Sequence, residues 1–154
     1  RPPRSTLDRS SAASDVYKRQ VEIWPKNFKL IQYNELDSTN SEAKRLAFKG
    51  EKNTCIFSRI QTKGKGSRGR NWISGSKNLT ASFLIYPRGN FIEFSHRTFV
   101  ASLALFDSFV YAGIKNNDLT LKWPNDVLLK QRKVSAILLE SVIKDCKIKN
   151  FIHA

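Results

Sequence analysis

A short basic loop carries the residue types best suited to binding an anion. Between Gln61 and Trp72, in QTKGKGSRGRNW, glycines alternate with lysines and arginines. Glycines at this density let several backbone N–H groups point into one concavity, and the cations supply the charge that attracts phosphate or carboxylate. The segment lacks the ending of a phosphate-binding P-loop and the glycine spacing of a dinucleotide fingerprint. A flexible basic hairpin or an RNA-contacting loop is the alternative for this segment taken alone.

Two further segments place polar groups at the ends of predicted elements. Lys122 ends a predicted strand in LKWPND, and Pro124 turns the chain directly after Trp123. A lysine there can reach off the sheet into a site, although most isolated lysines are solvated surface charges. DSTN, at 37–40, lies at the start of a helix, where its hydroxyls serve either as caps or as contacts for a polar ligand. Trp72 is either a core residue or a face for a planar base.

The apolar spacing predicts the elements that hold the first of these segments. Strands are predicted at 28–33, 54–60 and 79–86, with the basic loop (residues 61–78) between the last two. ELDSTNSEAKRLAFKG is predicted to be a helix, with Thr39 and Glu42 as a capping box and Gly50 as its end.

The second half of the chain predicts another helix and four short strands. The helix runs from a cap at Ser95 to Ala112. Its apolar stripe is predicted to pack in the core and consists of Phe99, Leu103, Phe106 and Val110. LTLKW, VLL, KVSAILLE and IKNFI follow as strands, separated by turns at 124–125, 130–132 and 144–145. The fold class predicted is α+β, a mixed β-sheet with helices packed on one face.

Composition favours a single domain in a reducing compartment. The chain has 154 residues, and Cys55 and Cys146 lack metal-ligand spacing, so no protein metal site is predicted and a cytoplasmic protein is the simplest interpretation. No apolar run approaches the length of a membrane span. Residues 1–20, rich in Ser, Arg and Pro, are predicted to be a disordered tail or a cloning remnant. The net charge of +14 invites a nucleic-acid interpretation, which is weak because any polyanion is attracted equally.

Taken in this order, the segments resemble the biotin protein ligase family. The likeness covers roughly residues 28–152 and rests on five motifs. They are STN at 38–40, Q-x-x-G-[KR]-G-x-R-G-R-x-W at 61–72, NL at 78–79, KWPND at 122–126 and K-x-x-x-I-L-x-E at 133–140. The resemblance implies a fold akin to class II aminoacyl-tRNA synthetases and lipoate ligases, with residues 21–154 forming the catalytic domain. It also implies a domain incomplete at its C-terminus, without the family's small C-terminal barrel, and therefore inactive or weakly active.

The same resemblance implies an activity and a set of site residues. The family joins biotin to the α-phosphate of Mg-ATP and then transfers it to a lysine of a biotin carboxyl carrier protein. By carry-over, Lys122 is the catalytic residue. The residues implied to bind biotin are Ser38, Thr39, Asn40, Gln61, Gly64, Lys65 and Lys122. Those implied to bind ATP or the adenylate are Lys65, Gly66, Ser67, Arg68, Gly69, Arg70, Trp72, Asn125 and Asp126.

Some departures and alternatives accompany this assignment. The family's loop most often reads GRGRRGR, whereas this chain has Lys65 and Ser67 in place of the first two arginines. We expect the loop to hold the adenylate less firmly, since lysine lacks the bidentate fork and serine lacks the charge. No specific nucleic-acid or membrane partner is expected, and a homodimer is left open. The rival functions are a lipoate or octanoate transferase and a basic nucleic-acid-binding module.

Overall fold

The computed structural model describes residues 24–75, 77–86, 92–144 and 147–153. The helices are α1 (Thr39–Lys49) and α2 (Ile92–Tyr111). The strands are β1 (Lys29–Leu36), β2 (Thr54–Gln61), β3 (Gly64–Lys65), β4 (Asn71–Trp72), β5 (Thr80–Ile85), β6 (Leu119–Lys122), β7 (Asp126–Leu129), β8 (Arg132–Ala136), β9 (Leu138–Lys144) and β10 (Lys147–His153). The predicted tail at 1–20 and the second half of the turn predicted at 144–145 lie outside the described residues, as does Cys146.

The main sheet is mixed, as predicted. Its five strands lie in the order β1-β2-β5-β10-β9, with β1 parallel to β2 and the other neighbours antiparallel. A parallel pair needs a crossover connection, and α1 provides it. β6, β7 and β8 form a separate antiparallel sheet, and β3 pairs with β4 as a short hairpin.

The core lies between α1 and the main sheet. Ala43 and Ala47 are fully buried on the helix and pack with Ile56 of β2 and Leu84 of β5. Small residues on the helix allow its backbone to lie close to the branched side chains of the strands. This packing fixes the start of α1 relative to the ends of β1 and β2.

Helix α1 begins one residue earlier than its predicted capping box. Ser38 is the N-cap, and its Oγ accepts a hydrogen bond of 3.4 Å from the Ser41 N–H. Thr39 is therefore the first helical residue, and it is fully buried. The prediction was also wrong to start the helical segment at Glu35, which belongs to β1. The predicted end is confirmed, since Gly50 adopts φ +88° and its N–H donates to the Ala47 carbonyl.

Helix α2 also differs from its prediction. It starts at Ile92, so Ser95 lies inside it and is not its cap, while its end before Gly113 (φ +96°) is confirmed. Three of the four stripe residues do not lie in the core, since Phe99 is 40% exposed, Leu103 52% and Val110 39%, whereas Phe106 is half-buried. The buried side of the helix carries Ser102 instead. The sequence of α2 is apolar nearly all round, so spacing alone did not identify the inward face.

The segment KVSAILLE forms two strands and not the one predicted. Ile137 separates β8 from β9 and is almost fully buried. Its N–H donates to the Asn125 carbonyl at 2.9 Å, and its carbonyl accepts from Asn125 Nδ2 at 2.6 Å. Because Asn125 hydrogen-bonds to both the N–H and the carbonyl of Ile137, neither group pairs with a strand there. The chain leaves the three-stranded sheet at Ile137 and enters the main one. The predicted turn before β8 is confirmed by positive φ at Lys130 and Gln131.

Candidate functional site

The basic loop contains more regular structure than its glycines suggested. β3 and β4 pair Gly64 with Trp72 and Lys65 with Asn71. Between them Ser67–Gly69 forms a 3₁₀ turn in which Arg68 takes φ +58° and Gly69 φ +73°. The tight turn therefore requires left-handed backbone at two successive positions, which glycine adopts without strain at the second.

Arg70 folds back onto this turn. Its Nη2 donates to Ser67 Oγ at 2.8 Å, and its Nε donates to the Ser67 carbonyl at 3.2 Å. The guanidinium is exposed and carries its charge beside the hydroxyl that replaces an arginine of the family motif. Ser67 thus takes part in the loop by orienting Arg70.

The loop forms one wall of a cavity of about 750 Å³. Five basic residues and one acidic residue line it among the described residues. The basic ones are Lys65, Arg70, Lys77, Lys122 and Lys133, and the acidic one is Asp126. Leu105 and Phe109 of α2, together with Ile137, supply apolar surface to the same cavity. The cavity therefore suits a ligand that is anionic at one end and apolar at the other.

Lys122 and the basic loop lie on the same side of the sheet, since both line this cavity. Lys122 is exposed at the end of β6, where its backbone pairs with Asp126 of β7. The peptide bond that follows Trp123 is cis, and Pro124 completes the turn. The sequence prediction that a lysine there reaches off the sheet agrees with this position.

A second lysine of the cavity has a better-defined position. Lys133 Nζ lies 2.8 Å from Asp126 Oδ1 and 5.7 Å from the centre of the Trp72 ring. A cation over an aromatic face is attracted by the ring's electron density, and the carboxylate adds an ion pair. Lys133 thus joins β8, β7 and the basic loop at one point.

The residues predicted to contact biotin from the helix side form a separate buried cluster. Thr39 N–H donates to Gln61 Oε1 at 2.8 Å, and Gln61 Nε2 donates to Ser74 Oγ at 3.0 Å. Ser38 caps the helix, and Asn40 is almost fully buried beside it. Thr39 and Gln61 hydrogen-bond to each other, Ser38 bonds to Ser41 and Asn40 to Ser82, and none of the four predicted residues lines the cavity.

The base of the basic loop is tied to the start of α1. Lys63 N–H donates to the Asp37 carbonyl at 2.7 Å. Arg45 binds the Asp37 carboxylate with two hydrogen bonds of 2.7 and 3.0 Å and also donates to Glu42 at 2.5 Å. These bonds from Arg45 lower the pKa of Asp37 to about 2 and raise the pKa of Arg45 itself. The loop is therefore anchored at a charged, helix-capping turn.

The cavity brings together about half of the predicted site residues. Those that line it are Lys65, Gly66, Ser67, Arg70, Trp72, Lys122, Asn125 and Asp126. Those that do not are Ser38, Thr39, Asn40, Gln61, Gly64, Arg68 and Gly69. Sequence reasoning missed Lys77 and Lys133 as cavity residues. The sequence did mark Lys133, which is the first residue of the K-x-x-x-I-L-x-E motif, but no role was assigned to it.

Neither a metal cage nor a membrane helix is found in the part of the chain that the structure describes. Within the described ranges, no three His, Cys, Asp or Glu residues come close enough together to hold a metal ion. No described helix is long and apolar enough to cross a membrane.

The sequence matches a family model and several characterised proteins. Residues 33–151 match the model of the biotin/lipoate A/B protein ligase family. The chain is 41% identical over 105 residues to a biotin--[acetyl-CoA-carboxylase] ligase of Paracoccus denitrificans, covering 68% of this chain and 44% of that protein. It is 28% identical over 125 residues to the bifunctional ligase/repressor BirA of Bacillus subtilis, covering 80% of this chain and 38% of that protein. The chain thus spans less than half the length of these relatives.

Solved structures agree with the fold. The biotin protein ligase of Aquifex aeolicus, in complex with biotin and ATP, superposes with a TM-score of 0.61 at 31% identity, over 81% of this chain and 51% of that one. The biotin protein ligase of Leishmania major superposes with a TM-score of 0.65 at 23% identity, over 84% and 56%. The second likeness shows the fold alone.

Proposed function

Because the chain belongs to the biotin/lipoate A/B protein ligase family, we propose that it activates biotin with ATP and transfers it to a lysine of a carrier protein. The observation that carries the proposal is a cavity lined by both basic and apolar side chains. Biotin has a carboxylate at the end of an apolar chain, and ATP is a polyanion. A site with both surfaces accommodates the two reactants side by side.

The proposed first step joins two anions. An oxygen of the biotin carboxylate attacks the α-phosphorus of Mg-ATP, the bond to the β-phosphate oxygen breaks, and pyrophosphate leaves. The Mg²⁺ arrives with the nucleotide as part of the substrate. Charge builds up on the phosphorus oxygens, so the main task of the protein is to hold cations there. Lys122 and Lys133 are the proposed catalytic ammonium groups, since both line the cavity.

The proposed second step consumes the acyl-adenylate. The amine of a carrier lysine attacks the carbonyl carbon of the anhydride, an amide forms, and AMP leaves with the electron pair. The carrier we propose is the biotin carboxyl carrier protein of a biotin-dependent carboxylase. Such a reaction draws on cytoplasmic ATP, and we propose that the protein acts there.

The basic loop has a protective role in this proposal. A mixed anhydride is hydrolysed by water, so its survival depends on a wall that closes the cavity. Lys65 and Arg70 are the proposed loop contacts for the adenylate phosphate, and Trp72 is the proposed neighbour of the adenine ring. Ser38, Thr39, Asn40 and Gln61 do not line the cavity, and they are proposed as contacts for the ureido ring of biotin on the family motif alone.

The proposal is tested first by biotin binding and then by formation of biotinyl-AMP. We expect calorimetry to detect biotin binding that lipoate does not displace, and mass spectrometry to detect biotinyl-AMP when ATP and Mg²⁺ are added. A Lys122→Met, Lys133→Met double variant serves as the control without the ammonium groups. Displacement of biotin by lipoate would favour the lipoate branch of the family. Tight RNA binding at physiological salt without biotin binding would reject both ligase functions.

A further inference from the structure

A chain of hydrogen bonds runs from a surface ion pair into the cluster beside the basic loop. Lys44 Nζ lies 2.7 Å from Glu140 Oε1, with both side chains partly exposed. Asn40 Nδ2 donates to the other oxygen of the same carboxylate. Ser82 Oγ lies 2.8 Å from Asn40 Oδ1. Asn40 and Ser82 are almost fully buried, so these bonds form away from solvent, where a missing partner is costly.

The chain continues towards the loop through Thr39. Ser82 Oγ lies 2.9 Å from Thr39 Oγ1, and Thr39 N–H donates to Gln61 Oε1. Gln61 Nε2 then donates to Ser74 Oγ, in the segment that leaves β4. A β-carbon at Gly64 would lie 3.4 Å from this same Gln61 Nε2. Gln61 therefore lies beside Gly64 of the hairpin and hydrogen-bonds to the segment that follows it.

The carboxylate of Glu140 sets the direction of these bonds. An ionised carboxylate only accepts, so the amide group of Asn40 must turn its Nδ2 towards Glu140 and its Oδ1 towards Ser82. A hydroxyl has one proton, and Ser82 must give it to Asn40 Oδ1 because that oxygen cannot donate. Ser82 Oγ then has no proton left for Thr39 Oγ1, so the single proton of Thr39 is shared between Ser82 Oγ at 2.9 Å and Gln61 Oε1 at 3.1 Å.

We propose that Glu140 is a positioning residue. It fixes the hydrogen-bond direction along this buried series of side chains and, through Gln61, the position of the basic loop. The inference deepens the proposed function, on which its ligand-binding readout rests. Glu140 acts through Asn40 and Gln61 and touches neither reactant. Charged hydrogen bonds within a low-dielectric interior are strong enough to orient a neutral network of this length.

Two single variants distinguish the hydrogen-bond direction that Glu140 sets from the effect of its ion pair with Lys44. Glu140→Gln keeps the shape of the side chain but offers both a donor and an acceptor to Asn40, so the amide of Asn40 loses its fixed orientation. Lys44→Met removes the ion pair and leaves the carboxylate in place. We expect the first to weaken biotin binding by about 10-fold and the second by less than about 2-fold.

A double variant provides the rescue. In Asn40→Asp, Glu140→Gln the amide nitrogen of residue 140 donates to a carboxylate at 40, whose other oxygen again accepts from Ser82. Asn40→Asp alone places two carboxylates face to face. We expect the double variant to bind biotin more tightly than either single variant, because the carboxylate at residue 40 again offers Ser82 an oxygen that only accepts, although the bond between residues 40 and 140 is reversed.

Nuclear magnetic resonance of the Gln61 side-chain amide gives a readout that needs no ligand. The signal is identified by its loss in Gln61→Glu. We expect it to move in Glu140→Gln, to stay in Lys44→Met and to return in the double variant. An unmoved signal, equal effects of the two single variants, or no rescue would each overturn the inference. If the parent protein binds no biotin, the proposed function fails while the Gln61 signal still decides the positioning role.

Discussion

Gly64 lies directly against the backbone of Trp72, and a β-carbon at Gly64 would stand 2.3 Å from the Trp72 carbonyl oxygen. The two residues are paired in the short hairpin of the basic loop. The obstructing atom belongs to the main chain, so it cannot rotate away as a side chain could. Glycine is thus required at this position by close approach of two strands.

Gly64→Ala should open the hairpin and weaken ATP binding by about 10-fold, because an added methyl group forces the two strands apart at a cost of roughly 1–3 kcal/mol. Gly75→Ala is the matched control, since a β-carbon there meets no heavy atom within 4 Å. Calorimetric titration of both variants with ATP measures the difference. Equal affinities for the two variants would show that the hairpin is not part of the nucleotide site.

The presence of a glycine-rich basic loop between two strands was predictable from sequence, but its internal geometry was not. Alternating glycines and cations indicate a loop that can wrap an anion whatever its exact path. Pairing of Gly64 with Trp72, and the folding of Arg70 onto Ser67, depend on backbone approaches between residues several positions apart. Local propensity does not encode such approaches, so the loop was expected to be irregular.

The Asp37 to Arg45 pair predicts an acid-dependent loss of stability. Hydrogen bonding from Arg45 lowers the pKa of Asp37 from its ordinary value of 3.8 to about 2. A lowered pKa contributes stability that is complete above the ordinary value and is lost as pH falls through about 2. Because both side chains are more than a third exposed, we expect the pair to contribute only about 1 kcal/mol at neutral pH.

Urea unfolding of Asp37→Asn between pH 7 and pH 2 measures this contribution. The stability difference from the parent protein should be largest at neutral pH and vanish towards pH 2. Glu51→Gln is the control, since its ion pair with Lys29 is longer, at 3.5 Å, and more exposed. A difference for Asp37→Asn that persists unchanged at pH 2 would contradict the assignment.

The inward face of α2 shows where pattern reasoning fails. The spacing of Phe99, Leu103 and Val110 is helical, and the helix exists, yet these side chains remain 39–52% exposed within the described structure. Residues on the other side, Leu105 and Phe109, line the cavity instead. When a helix is apolar on several faces, its partner decides which face is inward, and that partner is distant in sequence.

Substitutions of exposed and of buried apolar residues should differ sharply in their effect on the free energy of unfolding. Leu103→Gln should change the free energy of unfolding by less than about 0.5 kcal/mol, as surface changes usually do. Ile56→Ala removes a fully buried side chain from the core and should cost about 3 kcal/mol. Denaturant midpoints of the two variants provide the measurement. A large loss for Leu103→Gln would mean that the stripe packs in the core after all.

The thiol of Cys55 should be unreactive in the folded protein. Burial raises its pKa to about 11, so very little thiolate exists at pH 8. In a Cys146→Ser variant, which isolates this thiol, labelling by a thiol-specific disulfide reagent should be slow at pH 8 and immediate in denaturant. Rapid labelling without denaturant would show that β2 opens readily.

The two cavity lysines can be ranked by how firmly each is held. Lys133 contacts Asp126 and Trp72, whereas the Lys122 ammonium makes no ion pair with any residue that the structure describes, although both lysines are exposed. A preorganised cation loses less freedom when charge develops on the phosphate, so it stabilises the transition state more. We therefore expect Lys133→Met to slow biotinyl-AMP formation by about 100-fold or more and Lys122→Met by about 10-fold. Single-turnover rates at saturating biotin and ATP separate this effect from weaker binding, and Lys29→Met, outside the cavity, is the control for a lost ammonium. The opposite ranking would return the principal role to Lys122, as the sequence motif alone had predicted.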